Sequence, residues 1–209
     1  HLQTVNGLIM LIFQAIKSIE LFHNVIITDE IALNYYKDLL FEMNNLVFIG
    51  MPMSGKTHFA KLTSKIYNKT FIDIDQEIEN YASMKISKIF KIQGEAEFRR
   101  IESNIIMDVS KGHNKAISCG GGVILNSNNI NYLKQNGIII FLDMPLDLLQ
   151  KCNPRNRPLL QNKENLENLY QARYHLYHKY ADIIIQKTAF DQDITLQQIE
   201  VKLNEYINS

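Results

Sequence analysis

Cysteine is scarce in this chain, which contains only Cys119 and Cys152 among 209 residues. Two cysteines are too few for a disulfide framework, and such sparing use is typical of the reducing cytoplasm, where we expect the protein to work. No basic residue lies next to Cys119 in the sequence to favour a thiolate. We therefore interpret Cys119 as a small core residue rather than a nucleophile.

Net charge is also missing, because 22 Lys and Arg residues balance 22 Asp and Glu residues. Such a chain has no overall field to attract nucleic acid or anionic lipid. Long apolar runs are absent too, since the longest, residues 8–13, is followed by Gln14 and Lys17. We expect no nucleic-acid partner and no membrane partner. The 46% hydrophobic residues suffice for one domain with a small appendage.

The most specific pattern is Gly50-Met-Pro-Met-Ser-Gly-Lys-Thr57, which matches the phosphate-binding loop G-x-x-x-x-G-K-[ST]. Its glycines let backbone N–H groups point at phosphate oxygens, and a following helix adds the positive end of its dipole. Apolar residues 46–49 predict a buried strand before the loop, and residues 59–62 predict a helix after it. This context favours a phosphate site over an ordinary glycine turn.

Short apolar runs alternate with amphipathic ones from residue 45 onward. The predicted strands are residues 46–49, 70–75, 115–118, 137–143 and 182–185, and the helices between them include residues 95–109 and 164–179. This alternation indicates a parallel sheet with helices on both faces. Ligands of such sheets bind beyond the carboxyl ends of the strands.

Two acidic residues, Asp73 and Asp75, end the second predicted strand. Side chains on a strand alternate between its faces, so we expect the two carboxylates to differ in role. One can hold Mg²⁺ through water, and the other can accept a hydrogen bond from an acceptor hydroxyl. The alternative is that these residues cap and begin a helix.

Three arginines are candidates for anion binding. Arg99 and Arg100 are neighbours on a predicted helix, so only one of them can face a given pocket, and Arg173 lies on a later helix. The alternative is a solvated helix surface with pairs such as Glu95 and Arg99. Two arginines converging on one planar carboxylate would recognise it strongly.

Three further features complete the candidates. Gly120–Gly122 would let a small ligand approach the backbone closely. Residues 151–163 contain prolines and arginines and predict a mobile basic flap. His175 and His178 are interpreted as partly exposed polar residues, because no further metal ligands accompany them.

In their order along the chain, these motifs resemble the shikimate kinase family from about residue 45 to the end. The resemblance rests on the phosphate loop, Phe71-Ile-Asp-Ile-Asp75, Gly94-Glu-Ala-Glu-Phe-Arg-Arg-Ile-Glu102, the triple glycine, Arg157-Pro-Leu-Leu160, and Arg173 with Tyr177 and Ala181-Asp182. It implies an α/β P-loop kinase of the nucleoside monophosphate kinase type, with a five-stranded parallel sheet and a lid. It also implies transfer of phosphate from ATP to the 3-hydroxyl of shikimate, with Mg²⁺ as cofactor.

The resemblance implies a role for each matched position. Lys56, Asp75 and the lid residue Arg157 would be catalytic, and Thr57 and Asp73 would hold Mg²⁺. The ATP phosphates would contact Gly50, Met53, Ser54, Gly55, Lys56, Thr57, His58 and Arg157. Shikimate would contact Asp75, Phe98, Arg99, Glu102, Gly120, Gly121, Gly122, Leu159 and Arg173. The chain departs from the family pattern at four places. Met53 replaces a usual glycine, and His58 replaces a usual Ser or Thr. Gln150 or Lys151 lies near where an arginine commonly stacks on adenine, and Phe190-Asp191 replaces a more basic adenine-side loop.

Residues 1–43 have a separate resemblance. Asn6-Gly-Leu-Ile-Met-Leu-Ile-Phe-Gln-Ala15 and Ile19-Glu-Leu-Phe22 look like the C-terminal helices of shikimate dehydrogenase. We expect a helical remnant over residues 1–43, a kinase domain over residues 44–209, and a chain cut from a dehydrogenase–kinase fusion, with a dehydrogenase domain as partner. The alternative is an unrelated amphipathic helical hairpin.

Two other functions stay open on the sequence alone. A related P-loop kinase for gluconate or a nucleoside monophosphate would share the phosphate loop. A non-catalytic kinase-like module would keep the fold and only bind a ligand or partner. Arg99 and Arg173 facing one carboxylate-sized pocket would argue against a nucleotide acceptor. The presence of Lys56, Thr57, Asp73 and Arg157 together argues against the non-catalytic module.

Overall fold

The computed structural model describes residues 7–152 and 163–208. The chain divides into two compact units, one of His1–Met43 with Ile207–Ser209 and the other of Asn44–Tyr206. Most of the predicted flap, including Arg157 and Leu159, lies outside the described residues.

The first unit contains two helices, α1 (Gly7–His23) and α2 (Asp29–Met43). In the turn between them, the Glu20 carboxylate accepts a hydrogen bond from the Ile27 N–H at 2.9 Å. Each helix buries one residue, and many of their apolar side chains are exposed. Within the described ranges, no helix is long and apolar enough to cross a membrane.

The second unit is built on a five-stranded, entirely parallel sheet. In spatial order the strands are β2 (Thr70–Asp73), β3 (Lys115–Ser118), β1 (Asn45–Ile49), β4 (Gly137–Asp143) and β5 (Ile183–Gln186). Every residue of β1 is buried, and in register Val47 lies beside Ile117 of β3 and Ile139 of β4. Central strands covered on both faces are expected to be apolar, as are residues 46–49 of β1 and residues 138–142 of β4.

Helices connect the strands and cover both faces of the sheet. Their bounds are α3 (Lys56–Ile66), α4 (Ile74–Ala82), α5 (Ile86–Ile92), α6 (Gly94–Ser110), α7 (Ser127–Gln135), α8 (Leu146–Leu149), α9 (Lys163–Tyr180) and α10 (Gln192–Asn208), with a 3₁₀ turn at Val123–Leu125. The core joins apolar residues of β1, β3 and β4 to Ile106 of α6 and Tyr177 of α9. The predicted fold class is confirmed.

One predicted strand end is wrong. β2 ends at Asp73 and α4 begins at Ile74, so Asp75 lies in the first turn of a helix. Asp73 is the N-cap, and its Oδ1 accepts hydrogen bonds from the N–H groups of Asp75 at 3.1 Å and Gln76 at 3.3 Å. The backbone therefore follows the alternative interpretation, in which Asp73 caps a helix. Hydrogen bonds from the first N–H groups of α4 stabilise this arrangement more than two further residues in an edge strand would.

Candidate active site

The loop between β1 and α3 has the backbone shape of a phosphate cradle. Gly50 (φ 146°), Met53 (φ 72°) and Gly55 (φ 97°) all have positive φ. A Cβ at Gly50 would lie 2.8 Å from the Leu142 carbonyl oxygen, so both space and conformation require glycine there. Met53 adopts the left-handed conformation at a cost of about 1–2 kcal/mol. The loop therefore keeps its shape at the position where the family pattern has glycine.

Lys56 begins α3 and lies against this loop. Its Nζ donates a hydrogen bond to the Met51 carbonyl oxygen at 2.8 Å, and the residue is buried. The first N–H groups of a helix have no partner within the helix, so the start of α3 is suited to an anion. The lysine and the helix end thus place positive charge at the same side of the loop.

Oxygen atoms from three strand-to-helix junctions meet beside Lys56. The Thr57 hydroxyl donates to Asp73 Oδ2 at 2.9 Å and lies 3.0 Å from the Ser118 hydroxyl. The Asp73 carboxylate therefore has two tasks, since its other oxygen caps α4. Hydroxyl and carboxylate oxygens are the ligands that Mg²⁺ prefers, so this set fits that ion. Ser118 was not among the predicted residues, although it ends β3 in register with Asp73.

A cavity of about 240 Å³ lies between the phosphate loop and the carboxyl ends of β2 and β3. Asp75 lines it opposite Gly120, where a Cβ would lie 2.9 Å from Asp75 Oδ1 and 3.3 Å from Glu102 Oε1. Any larger residue at position 120 would therefore push the Asp75 and Glu102 carboxylates away from the backbone there. One cavity therefore joins the phosphate loop to a group that can hold an acceptor hydroxyl.

Arg99, on α6, faces the triple glycine. Its Nη1 donates to Glu102 Oε2 at 2.7 Å, and a Cβ at Gly122 would lie only 2.5 Å from Nη1. The guanidinium also lies 5.1 Å from the centre of the Phe98 ring. Its neighbour Arg100 points elsewhere and forms an exposed pair with a glutamate one turn earlier. Of the two neighbouring arginines, Arg99 is therefore the one that faces the glycine loop.

Glu102 is buried, with 1% of its surface exposed. Burial raises the pKa of its carboxyl, and the nearby Arg99 guanidinium opposes this rise. Asp75 and Arg173 also act on this pKa, the first raising it and the second lowering it. All four groups therefore lie within electrostatic range of one another.

Arg173, on α9, contacts the same glycine loop. Its Nη1 donates to the Gly121 carbonyl oxygen at 3.1 Å, and the buried Tyr177 hydroxyl donates to the same oxygen at 2.6 Å. Arg99 beside Gly122 and Arg173 at Gly121 place two guanidinium groups around one short loop. Sequence spacing alone could not predict that residues of α6 and α9 meet at this loop.

Three other residues considered in the sequence are His58, Cys119 and His178. The His58 ring bonds Gln192 Oε1 of α10 at 2.6 Å, although the residue also lines the cavity. Burial raises the pKa of the Cys119 thiol, in agreement with a core residue. His178 lies 3.5 Å from Asp143, and no cluster of three metal-binding side chains occurs in the part of the chain that is described.

A buried lysine that no sequence pattern indicated lies at the phosphate loop. Lys187 follows β5 and has 8% of its surface exposed, and its Nζ donates to the Ser54 carbonyl oxygen in the phosphate loop at 3.2 Å. The two residues are 133 positions apart, so no local pattern indicates the contact.

The geometry can be compared with known proteins. A family model described as shikimate kinase matches residues 52–204. A shikimate kinase of Nitrosomonas europaea is 37% identical over 166 residues, covering 77% of this chain and 79% of the relative. One of Clostridium beijerinckii is 42% identical over 145 residues, covering 68% and 85%.

The chain belongs to the shikimate kinase family. It is therefore an enzyme of the P-loop kinase fold, as its motifs and sheet predicted. The solved shikimate kinase of Acinetobacter baumannii in complex with shikimate superposes with a TM-score of 0.73 at 28% identity, covering 80% of this chain and 98% of that one. A gluconokinase of Sinorhizobium meliloti reaches 0.53 at 10% identity, covering 80% and 98%, and shares the fold alone.

Proposed function

We propose that this chain transfers the γ-phosphoryl group of ATP to the 3-hydroxyl of shikimate. The observation that carries the proposal is one cavity lined both by Lys56 and Thr57 of the phosphate site and by Asp75 and Gly120. A donor phosphate and an acceptor hydroxyl held at its two sides would be adjacent. Positioning and charge neutralisation supply most of the catalysis in phosphoryl transfer, and this arrangement provides both.

On the nucleotide side, the loop from Gly50 to Thr57 would hold the phosphates by its N–H groups, with Met53, Ser54 and His58 contributing backbone or side-chain contacts. Lys56 would exchange its bond to the Met51 carbonyl for a bond to phosphate. Thr57 and Asp73 would hold Mg²⁺, and Ser118 would orient the Thr57 hydroxyl. Bound there, Mg²⁺ neutralises charge on the β- and γ-phosphates. Arg157 would reach the transferring group from the lid.

On the acceptor side, Asp75 would orient the hydroxyl and accept its proton. Arg99 and Arg173 would bind the shikimate carboxylate, which suits two planar guanidinium groups. Phe98 and Glu102 would hold Arg99 in place, and Gly120–Gly122 would admit the ring close to the backbone. Leu159 would complete the wall from the lid.

The alternatives lose support at this site. Two arginines around Gly121 and Gly122 suit the carboxylate of a small acid, and the family match is to shikimate kinase rather than to a nucleotide kinase. A non-catalytic module would not need Lys56 at the phosphate loop beside a hydrogen-bonded Thr57 and Asp73.

We infer the origin of residues 1–43 from their sequence alone. Their likeness to the C-terminal helices of shikimate dehydrogenase, and with it a dehydrogenase–kinase fusion, stays a prediction, because the family match covers residues 52–204. The same holds for the assignment of residues 44–209 as the kinase domain.

The test is ADP formation by the purified chain with ATP and Mg²⁺, measured without acceptor and with shikimate, gluconate or a nucleoside monophosphate. Shikimate alone should stimulate turnover. Lys56→Met should lower kcat by about 100-fold or more, since it removes a group that stabilises the transferring phosphate. Turnover with another acceptor and none with shikimate would overturn the proposal.

A further inference from the structure

Lys187 is a buried lysine to which no role has been assigned so far, and it contacts the phosphate loop. Lys187 follows the last residue of β5, and its N–H donates to the Asp143 carbonyl oxygen of β4 at 2.8 Å. This bond fixes its backbone to the carboxyl end of the sheet. The side chain is then directed towards the loop that follows β1, two strands away in the order of the sheet.

The Lys187 ammonium group lies beside three residues of the loop and α3. Nζ donates to the Ser54 carbonyl oxygen at 3.2 Å, and a Cβ at Gly55 would lie 3.5 Å from it. It also lies 4.8 Å from the centre of the Phe59 ring, in the first turn of α3. The lysine thus bridges the loop to the helix that begins there.

The charge of Lys187 is poorly compensated. Among residues 7–152 and 163–208, it forms no ion pair with a carboxylate. Burial lowers the pKa of its ammonium group, and the effect of Cys152, which raises that pKa, is smaller. A buried charge without a counter-charge is costly, and a carbonyl and an aromatic face compensate only part of that cost. A polyanion in the adjacent loop would supply the missing negative charge.

We propose that Lys187 is a positioning residue for the nucleotide phosphates. It holds the Ser54 carbonyl outward, so that N–H groups of the loop stay directed inward, and it adds a second fixed positive charge behind the loop. This inference rests on the proposed use of ATP. It assigns Lys187 no contact with shikimate, whose site lies at the triple glycine.

The test compares Lys187→Met, which keeps most of the side-chain length but removes charge and donor, with Lys187→Arg, which keeps both. Lys61→Met is the matched control, because Lys61 is an exposed lysine on α3. For each variant we would measure the ADP dissociation constant, the KM for ATP, the KM for shikimate and the melting temperature.

Lys187→Met should weaken ADP binding and raise the KM for ATP about tenfold, the effect of losing one charge-assisted hydrogen bond. The KM for shikimate should be unchanged, Lys187→Arg should recover most of the ADP affinity, and Lys61→Met should match the unmodified chain. If Lys187→Met does not fold, Lys187→Gln keeps a donor for Ser54, and it should fall between the other two.

Unchanged ADP affinity in Lys187→Met would overturn the inference, and so would equal losses of ADP and shikimate affinity, which indicate a merely structural residue. Failure of the proposed function would look different, because the unmodified chain would then bind ADP without any turnover of shikimate.

Discussion

Removal of Arg99 separates its structural role from its proposed binding role. Arg99→Ala leaves the Glu102 carboxylate, which is 1% exposed, without its partner at 2.7 Å. Removing one partner of a buried ion pair typically costs about 3–5 kcal/mol of folding stability. Because 27% of the Arg99 side chain is exposed, we expect a loss at the lower end, about 3 kcal/mol. For a chain of this size that lowers the melting temperature by about 6–12 °C.

The control is the neighbouring arginine. Arg100 forms its pair with Glu97 at the surface, with side chains 59% and 35% exposed, so Arg100→Ala should leave the melting temperature nearly unchanged. The double variant Arg99→Ala/Glu102→Gln removes the uncompensated charge and should recover part of the lost stability. It should not recover shikimate affinity, which both variants without Arg99 should lose by at least about 30-fold.

The sign of the pH dependence follows from Glu102. Burial raises its pKa in the folded state, and loss of Arg99 raises that pKa further. A carboxyl with a raised folded pKa contributes stability below its unfolded pKa and loses that contribution as pH rises through the folded value. The stability deficit of Arg99→Ala should therefore grow from acid to neutral pH.

Urea unfolding at several pH values measures this deficit, and the KM for shikimate and for ATP measures binding. Equal destabilisation by Arg99→Ala and Arg100→Ala would refute the buried-pair reasoning. An unchanged KM for shikimate in Arg99→Ala would refute the assignment of its carboxylate partner.

Three further outcomes are expected. Gly122→Ala places a methyl group 2.5 Å from Arg99 Nη1, so it should raise the KM for shikimate and leave the KM for ATP unchanged; the opposite pattern would contradict the placement. Cys119 should resist alkylation by iodoacetamide in the folded protein, because burial covers its thiol and raises its pKa, and mass mapping that found it modified before the half-buried Cys152 would be inconsistent with this. Deletion of residues 1–43 should leave shikimate-dependent turnover nearly unchanged, and loss of turnover in a truncated chain that is folded by circular dichroism would show that the segment belongs to the kinase.

The sequence was most informative where chemistry is local. The phosphate loop could be predicted with its strand and helix because Gly50 to Thr57 and their flanks are contiguous. The residues around Asp73 could not be placed as well, since capping a helix and ending a strand need the same residue types. Here Asp73 caps α4 through one oxygen and meets Thr57 through the other, so the two interpretations were not exclusive.

Contacts between distant elements were beyond local patterns. Periodicity shows that Arg99 and Arg100 point in different directions, but the packing of α6 decides which of them faces the glycines. Ser118 meets Thr57 through the register of β2 and β3, and Lys187 meets Ser54 across 133 positions. That Arg99 and Arg173 act at the same site was implied by the resemblance to shikimate kinases. Their spacing in the sequence does not indicate it.

The central claim is that one cavity joins the phosphate loop to a site for shikimate. Its most direct test is to incubate the chain with Mg²⁺, shikimate and ATP labelled in the γ-phosphate, and to locate the label by phosphorus–proton NMR coupling. Labelled phosphate is expected on the 3-hydroxyl of shikimate with the unmodified chain and not with Lys56→Met. Label released only as inorganic phosphate, or found on another hydroxyl, would contradict it.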